Sequence, residues 1–289
     1  MAIYRVQALL CFVLIIVFSC TNEKEETSSE EASDNTQQNE KATPSVNILS
    51  AFFGLDNGVP GLLFGCGLFG MQDGMPIVLD QRIPLPALLD SNVFMVHRAS
   101  GAVSPVACAT LMPALEPEER RTILLIGEFA SASDPPVGVS IVGSLLTDAG
   151  SDAQGAMTET VVPLDAGPSI VIAEHYMASE LPTGGADECS ADTDHIIKTT
   201  WDGGVTGHLG AHLSEAHRLG TTIEYANGQI RSASMLADAL DGDNHVEFCM
   251  SEPGEPVSIS AAADLYEDPN DDANALHTRV IVDANYVEQ

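Results

Sequence analysis

The segment "LYEDPNDDANALH", Leu265 to His277, concentrates oxygen donors. It carries Glu267, Asp268, Asp271 and Asp272, with Asn270 and Asn274 between and after them. Calcium takes roughly six to eight oxygen ligands from carboxylates, amides and backbone carbonyls. Asp268, Asn270, Asp271, Asp272 and Asn274 offer such oxygens, and Pro269 stiffens the loop. A second acidic stretch, "LDGDNH", adds Asp241, Asp243 and Asn244. Calcium is therefore the one cofactor these residues point to. The loop lacks the central glycine and distal glutamate of an EF-hand. Asp, Asn and Pro are also turn formers, so a plain soluble turn is the competing expectation.

A second constellation is histidine-based. "HLGAHLSEAHR" holds His208, His212 and His217, with Glu215 between the last two. On a continuous helix, His208 and His212 would share a face at the i, i+4 spacing that zinc ligands use. Gly207 and Gly210 oppose a helix there, and no glutamate follows the first histidine as a zincin needs. The expectation is a polar loop, with a metal-dependent hydrolase as the alternative. No GxSxG, Walker loop, HExxH or dinucleotide fingerprint is present. Carboxylates are so frequent that pairs of them nominate no glycosidase. Trp201, the only tryptophan, ends an apolar run in "TTWDGGVTG" and is expected in the core. Its functional alternative is an exposed platform for a sugar or peptide.

Four cysteines, Cys66, Cys108, Cys189 and Cys249, lie in the body of the chain. In an oxidising compartment they should pair. Three pairings are possible, and pairing by neighbourhood gives Cys66–Cys108 and Cys189–Cys249. The absence of any CxxC spacing argues against a zinc site.

These residues need a scaffold, and the scaffold reads as all-β. Short Val- and Ile-rich runs recur between Gly, Pro, Asn and Asp: "PIVL" at 76–79, "VFMVH" at 93–97, "TILLIGEF" at 122–129, "VGVSIVG" at 137–143 and "SIVIAE" at 169–174. Others are "HIIKTTW" at 195–201, "HVEFCM" at 245–250 and "TRVIV" at 278–282. Strands at this density suggest sandwiches. In "TIEYANGQIR", Asn227-Gly228 predicts a type I′ hairpin turn. "PLPALLD" at 84–90 and "SMLADAL" at 234–240 are expected as turns or single helical segments. The body, 46–289, suits two β-sandwich units, 46–165 and 166–289. It contains a single lysine, Lys198. The chain carries 42 acidic against 11 basic residues, a net charge of −31. Such a surface repels nucleic acid and anionic lipid. It suits a protein facing salty water.

The N-terminus implies export. Arg5 is the only charge before an apolar run from Ala8 to Phe18, followed by Ser19-Cys20. That is the layout of a secretory signal, and the run falls short of the ~20 residues that span a bilayer. "VFSC" resembles a bacterial lipobox at Val17, Ser19 and Cys20, with Phe18 bulkier than usual. The resemblance implies a signal peptide over 1–19, lipidation of Cys20, and anchoring in the cell envelope. Thr21 is not the aspartate that favours inner-membrane retention, so the outer membrane is expected. Residues 20–45 contain no Val, Ile, Leu or aromatic residue. They read as a disordered acidic tether. The membrane is thus the one partner expected, through the lipid; a protein or polysaccharide partner is left open.

Residues 76 to about 155 resemble a bacterial Ig-like domain of the S-layer and adhesin type. The matching positions are Pro86 and Leu89, then Asn92, Phe94 and Val96, then Gly101 and Asp148, while Gln81 departs from the pattern. The resemblance implies a sandwich module of a cell-surface protein, with no catalytic residue to carry over. The D-x-N-D-D spacing of Asp268 to Asp272 resembles the cadherin calcium motif, although it precedes a strand and joins no two repeats. "AFFGLDN", "DGMPIV" and "DGDN" also resemble segments of acidic exported bacterial proteins, which implies no function. The function expected is therefore a lipid-anchored structural or binding module.

Overall fold

The computed structural model describes residues 46–60, 64–67, 71–131, 133–179, 189–237 and 242–284. The signal segment, Cys20, the tether and Asp241 lie outside the described residues. The fold is all-β. Among the described residues nine strands build a first lobe: β1 (Ile48–Ala51), β2 (Leu55–Pro60), β3 (Met71–Leu79), β4 (Leu88–Leu89), β5 (Phe94–Arg98), β6 (Val103–Thr110), β7 (Thr122–Gly127), β8 (Pro136–Ile141) and β9 (Met157–Thr158). They bond in the order β1-β3-β7-β6-β5-β8-β9, with β2 added on β3 and β4 on β6. The sheet curls until its ends meet. Val162, just past β9, donates to Ala51 O at 2.8 Å and accepts from Phe53 N at 2.9 Å.

Alternation explains the curl's inside. Phe94 and Val96 on β5 are buried while Met95 between them is exposed, as the two-residue period of a strand requires. Met75, Ile77 and Leu79 of β3 join them with Ile123, Leu125, Val139 and Ile141 in one apolar core. Cys66 is bonded to Cys108 beside a smaller cluster with Val59 and Ile126.

The described residues of the second lobe form nine more strands: β10 (Ile170–Met177), β11 (His195–Trp201), β12 (Thr221–Tyr225), β13 (Ile230–Arg231), β14 (Met235–Ala237), β15 (His245–Met250), β16 (Pro256–Ala261), β17 (His277–Val280) and β18 (Val282–Asp283). They form a five-stranded sheet, β14-β15-β11-β10-β18, and a four-stranded one, β13-β12-β16-β17. Ile197, Trp201, Val246 and Phe248 from the first pack with Ile223, Tyr225, Ile259 and Ala261 from the second. Ile281 carries the chain from β17 directly to β18, so the two sheets are stitched at one edge. Cys189 is bonded to Cys249 on β15.

Three local readings change. The hairpin after β12 is a three-residue loop. Tyr225 N donates to Gln229 O and Gly228 N to Tyr225 O, and only Gly228 has positive φ, at 79°. This is a type I turn closed by a left-handed glycine, the next commonest hairpin after type I′. Met235–Ala237 pairs with β15 as an edge strand, because Leu236 and Ala237 have a sheet to lie on. Within 84–90, Leu88–Leu89 pairs with β6 as a short strand.

The lobes belong to one body, and their meeting is close. A Cβ on Gly203 would sit 2.4 Å from the Phe52 ring across the lobes, and on the connection that leads into the second lobe one on Gly167 would sit 1.9 Å from Ala273 O. Only glycine permits these approaches. Asn270 donates to Gly54 O at 2.5 Å, so the acidic loop of the second lobe touches the first.

Candidate functional site

The acidic loop is an ordered turn. Asp268 is buried, and its Oδ1 accepts from Asn270 N and Asp272 N, both at 2.9 Å. Asp271 takes a left-handed backbone, φ 64°, and faces solvent. Asn274 is a buried bracket. Its Oδ1 accepts from Leu265 N and Tyr266 N, and its Nδ2 donates to Ala262 O and Ala275 O. That amide is fully used in holding the loop. Asn270 spends its Nδ2 on Gly54 O and Leu164 O.

Asp268 Oδ2 is different: it is buried and accepts no hydrogen bond among the described residues. Burial pushes the Asp268 carboxyl above its usual range, against the pull of the Asp272 and Asn270 amides. The other acidic stretch comes near through Gly204, whose Cβ would lie 3.7 Å from Asp243 O and 3.8 Å from Pro269. Asp243 Oδ1 accepts from His245 N at 2.6 Å. Asn244 is buried and structural, donating to Trp201 O at 2.7 Å and Thr122 Oγ1 at 3.0 Å.

The three histidines have separate surroundings. His208 lies in a short 3-10 turn broken at Leu209, φ 56°, so it shares no continuous helix face with His212. Its Nδ1 meets Glu267 Oε1 at 2.7 Å, and this hydrogen bond and charge raise its pKa. His212 is exposed. His217 is buried on the short helix α1 (Glu215–Gly220), where its Nδ1 accepts from Ser214 N at 2.9 Å and closes a capping box. Among the described residues no three His, Cys, Asp or Glu side chains converge as metal ligands. Trp201 is fully buried, stacked 4.7 Å from Tyr266, with its Nε1 donating to Thr199 Oγ1. It is a core residue.

The most concentrated chemistry lies where the lobes meet. β11 is buried along its whole length. One face feeds the sandwich core. The other carries Lys198, directly opposite Glu174 on β10 and Glu247 on β15. Such opposed residues lie about 5 Å apart on one face, so a row Glu–Lys–Glu crosses three strands. The turn before β7, "EPEERR", covers that row. Lys198 Nζ lies 2.7 Å from Glu119 Oε1, 2.9 Å from Glu247 Oε1 and 3.7 Å from Glu118 Oε1. Arg121 binds Glu174 Oε1 at 2.7 Å. Arg82 donates to Tyr176 OH at 2.8 Å, and Tyr176 OH to Glu174 Oε2 at 3.1 Å.

This seam is dry. Lys198, Glu118 and Glu119 are each 1 % exposed and Glu247 is 0 % exposed. Burial pulls the Lys198 pKa down, but Glu247, Glu119 and Glu118 together outweigh it and hold the ammonium well above its usual range. Burial pushes Glu118 up to about 7, against the pull of Lys198 and with Glu247 adding to the rise. Both Glu118 carboxyl oxygens accept no hydrogen bond among the described residues. His245 closes the row's end between Thr122 Oγ1 at 3.3 Å and Thr200 Oγ1 at 3.2 Å. Burial, then the cations Lys198, Arg121 and Arg82, keep it neutral well below the usual histidine range.

Sequence reasoning missed this seam. Its one signal was visible: the body's single lysine stands in an apolar run, and "EERR" precedes another. No protein-family model, curated protein or solved structure matches the chain.

Proposed function

We propose that the chain is a lipid-anchored, extracytoplasmic structural or binding module. The observation that carries this reading is the use made of its buried ionisable groups. Lys198, Glu119, Glu247, Arg121 and Glu174 are spent on one another, tying lobe to lobe. Charges held this way stiffen a body that a tether can present to a protein or polysaccharide. A lipid on Cys20 would anchor it, with a second acyl chain making the attachment stable. Fractionation of cells tests the anchor. Cys20→Ser should leave the membrane fraction or stall in processing; a variant that fractionates and migrates like wild type refutes it.

Calcium stabilisation of the 265–277 loop is a second element of this reading. The buried Asp268 Oδ2, without a donor, supports it, as does the crowd of acids beside it. A cation bound only by the folded state raises stability by mass action. Millimolar calcium should raise the melting temperature, and Asp271→Ala with Asp272→Ala should remove most of the rise. An equal rise in both proteins means general charge screening.

A further inference from the structure

The seam's charges do not balance. Four carboxylates enter it, Glu118, Glu119, Glu174 and Glu247, against three cations, Lys198, Arg82 and Arg121. Arg120 turns to Asp148 instead, at 3.6 Å. An uncompensated carboxylate at 1 % exposure costs several kcal/mol. The cheapest remedy is a proton. Geometry says where it goes. Glu119 and Glu247 hold Lys198 Nζ at hydrogen-bond distance, and Glu174 has Arg121 and Tyr176. Glu118 stands off at 3.7 Å, with no donor on either oxygen among the described residues.

We propose that this seam is a proton-operated latch between the two lobes, closed while Glu118 carries a proton and loosened when it gives the proton up. Every neighbouring group fits that assignment. Lys198 on β11 stands 3.7 Å from it, Glu247 on β15 shares that lysine, the neutral His245 lies on the same strand, and β10 brings Glu174 and Tyr176 to the row's other side. Its own turn adds Glu116, Glu119 and Arg121, and Arg82 Nε donates to the Glu118 carbonyl at 3.3 Å. Losing the proton places a fourth negative charge beside Glu247 with no further cation in the seam among the described residues. The load falls on the turn over β11, which is also what joins the lobes.

The direction with pH follows by linkage. A carboxyl whose folded pKa is raised keeps its proton in the folded chain after the unfolded chain has lost it. Stability is then greatest below the unfolded value of 4.5, declines as pH rises toward about 7, and stays low above it. Each pK unit is tenfold in equilibrium, so the decline from 4.5 to about 7 amounts to roughly two to three powers of ten in the folding constant, about one of them between pH 6 and pH 8.

The test uses the full chain and Glu118→Gln, which copies the protonated side chain. Amide exchange protection of 118–122, β11 and β15 is measured at pH 6 and pH 8. Wild type should lose about tenfold or more of its protection at pH 8, and Glu118→Gln should lose little. Difference infrared spectra should show a buried carboxylic acid C=O band at pH 6 in wild type and none in the variant. Equal protection of wild type at both pH values, or an equal loss in the variant, overturns the latch. Should Glu118→Gln fail to fold, Glu118→Leu serves, and the infrared band in wild type decides alone.

Discussion

Replacing Lys198 by Met removes the one ammonium that three buried carboxylates share. Met has a similar length and keeps the stem's packing, so the change reports on charge. At an effective dielectric of about 20, a unit pair at the observed 2.7 Å and 2.9 Å attracts by roughly 6 kcal/mol before desolvation is counted. Part of that only offsets the desolvation already suffered. What remains visible is the cost of orphaning Glu119 and Glu247 in a buried seam, about 3–5 kcal/mol. For a body of this size that lowers the melting temperature by about 10 °C. Urea unfolding at neutral pH, monitored by Trp201 fluorescence, measures it directly, because Trp201 is fully buried in the adjoining core. Two controls sharpen the result. Acidification should restore much of the variant's stability, since protonation neutralises the orphaned carboxylates. Adding Glu119→Gln and Glu247→Gln should restore much of it at neutral pH, because the two carboxylates that held the ammonium are then neutral and no longer orphaned. A loss below about 1 kcal/mol for Lys198→Met would show that water reaches the seam and that the pairing is not what joins the lobes.

Asn274→Ala should cost about 3 kcal/mol in the same assay, because Leu265 N, Tyr266 N, Ala262 O and Ala275 O all lose their partner in the acidic loop. A cost under 0.5 kcal/mol, a magnitude typical of surface changes, would mean the loop is not held by this amide. Non-reducing peptide mapping of the exported chain should find Cys66 with Cys108 and Cys189 with Cys249. Replacing either pair by serine should cost about 4 kcal/mol in the chain-entropy model, given closed loops of 42 and 60 residues; four free thiols in the mapping would refute the bonds.

Strand positions could be read from the chain because apolar β-branched runs between turn formers leave few other options. "HIIKTTW" is β11 and "HVEFCM" is β15, residue for residue. Turn details were harder. Asn227-Gly228 marked the hairpin, yet the choice between a two- and a three-residue loop depended on the partner strand's register, which is a long-range fact. Met235–Ala237 looks helical in isolation and becomes a strand because β15 offers it an edge. The acidic loop drew attention through composition, and the structure spends Asn270 and Asn274 on the backbone. The seam stayed hidden for a different reason. Its partners are separated by 49 and 79 residues, so no local window contains the pattern. A lone lysine in a strand is a weak sign until the acids that surround it are seen.

That separation also governs the order in which the molecule can be completed. A ribosome delivers Glu118 and Glu119 long before Lys198, and Glu247 later still. Asn270 must wait a further stretch to reach Gly54, 216 residues behind it. Contacts so distant along the chain make assembly slow, and a half-built β protein with unpaired strands invites aggregation. Here the unfinished face of the first lobe is not wholly apolar, for besides Phe52 it carries a charged segment. It is a turn of glutamates and arginines, well hydrated until its lysine arrives. The same charges that burden the finished seam keep the nascent chain soluble while it waits.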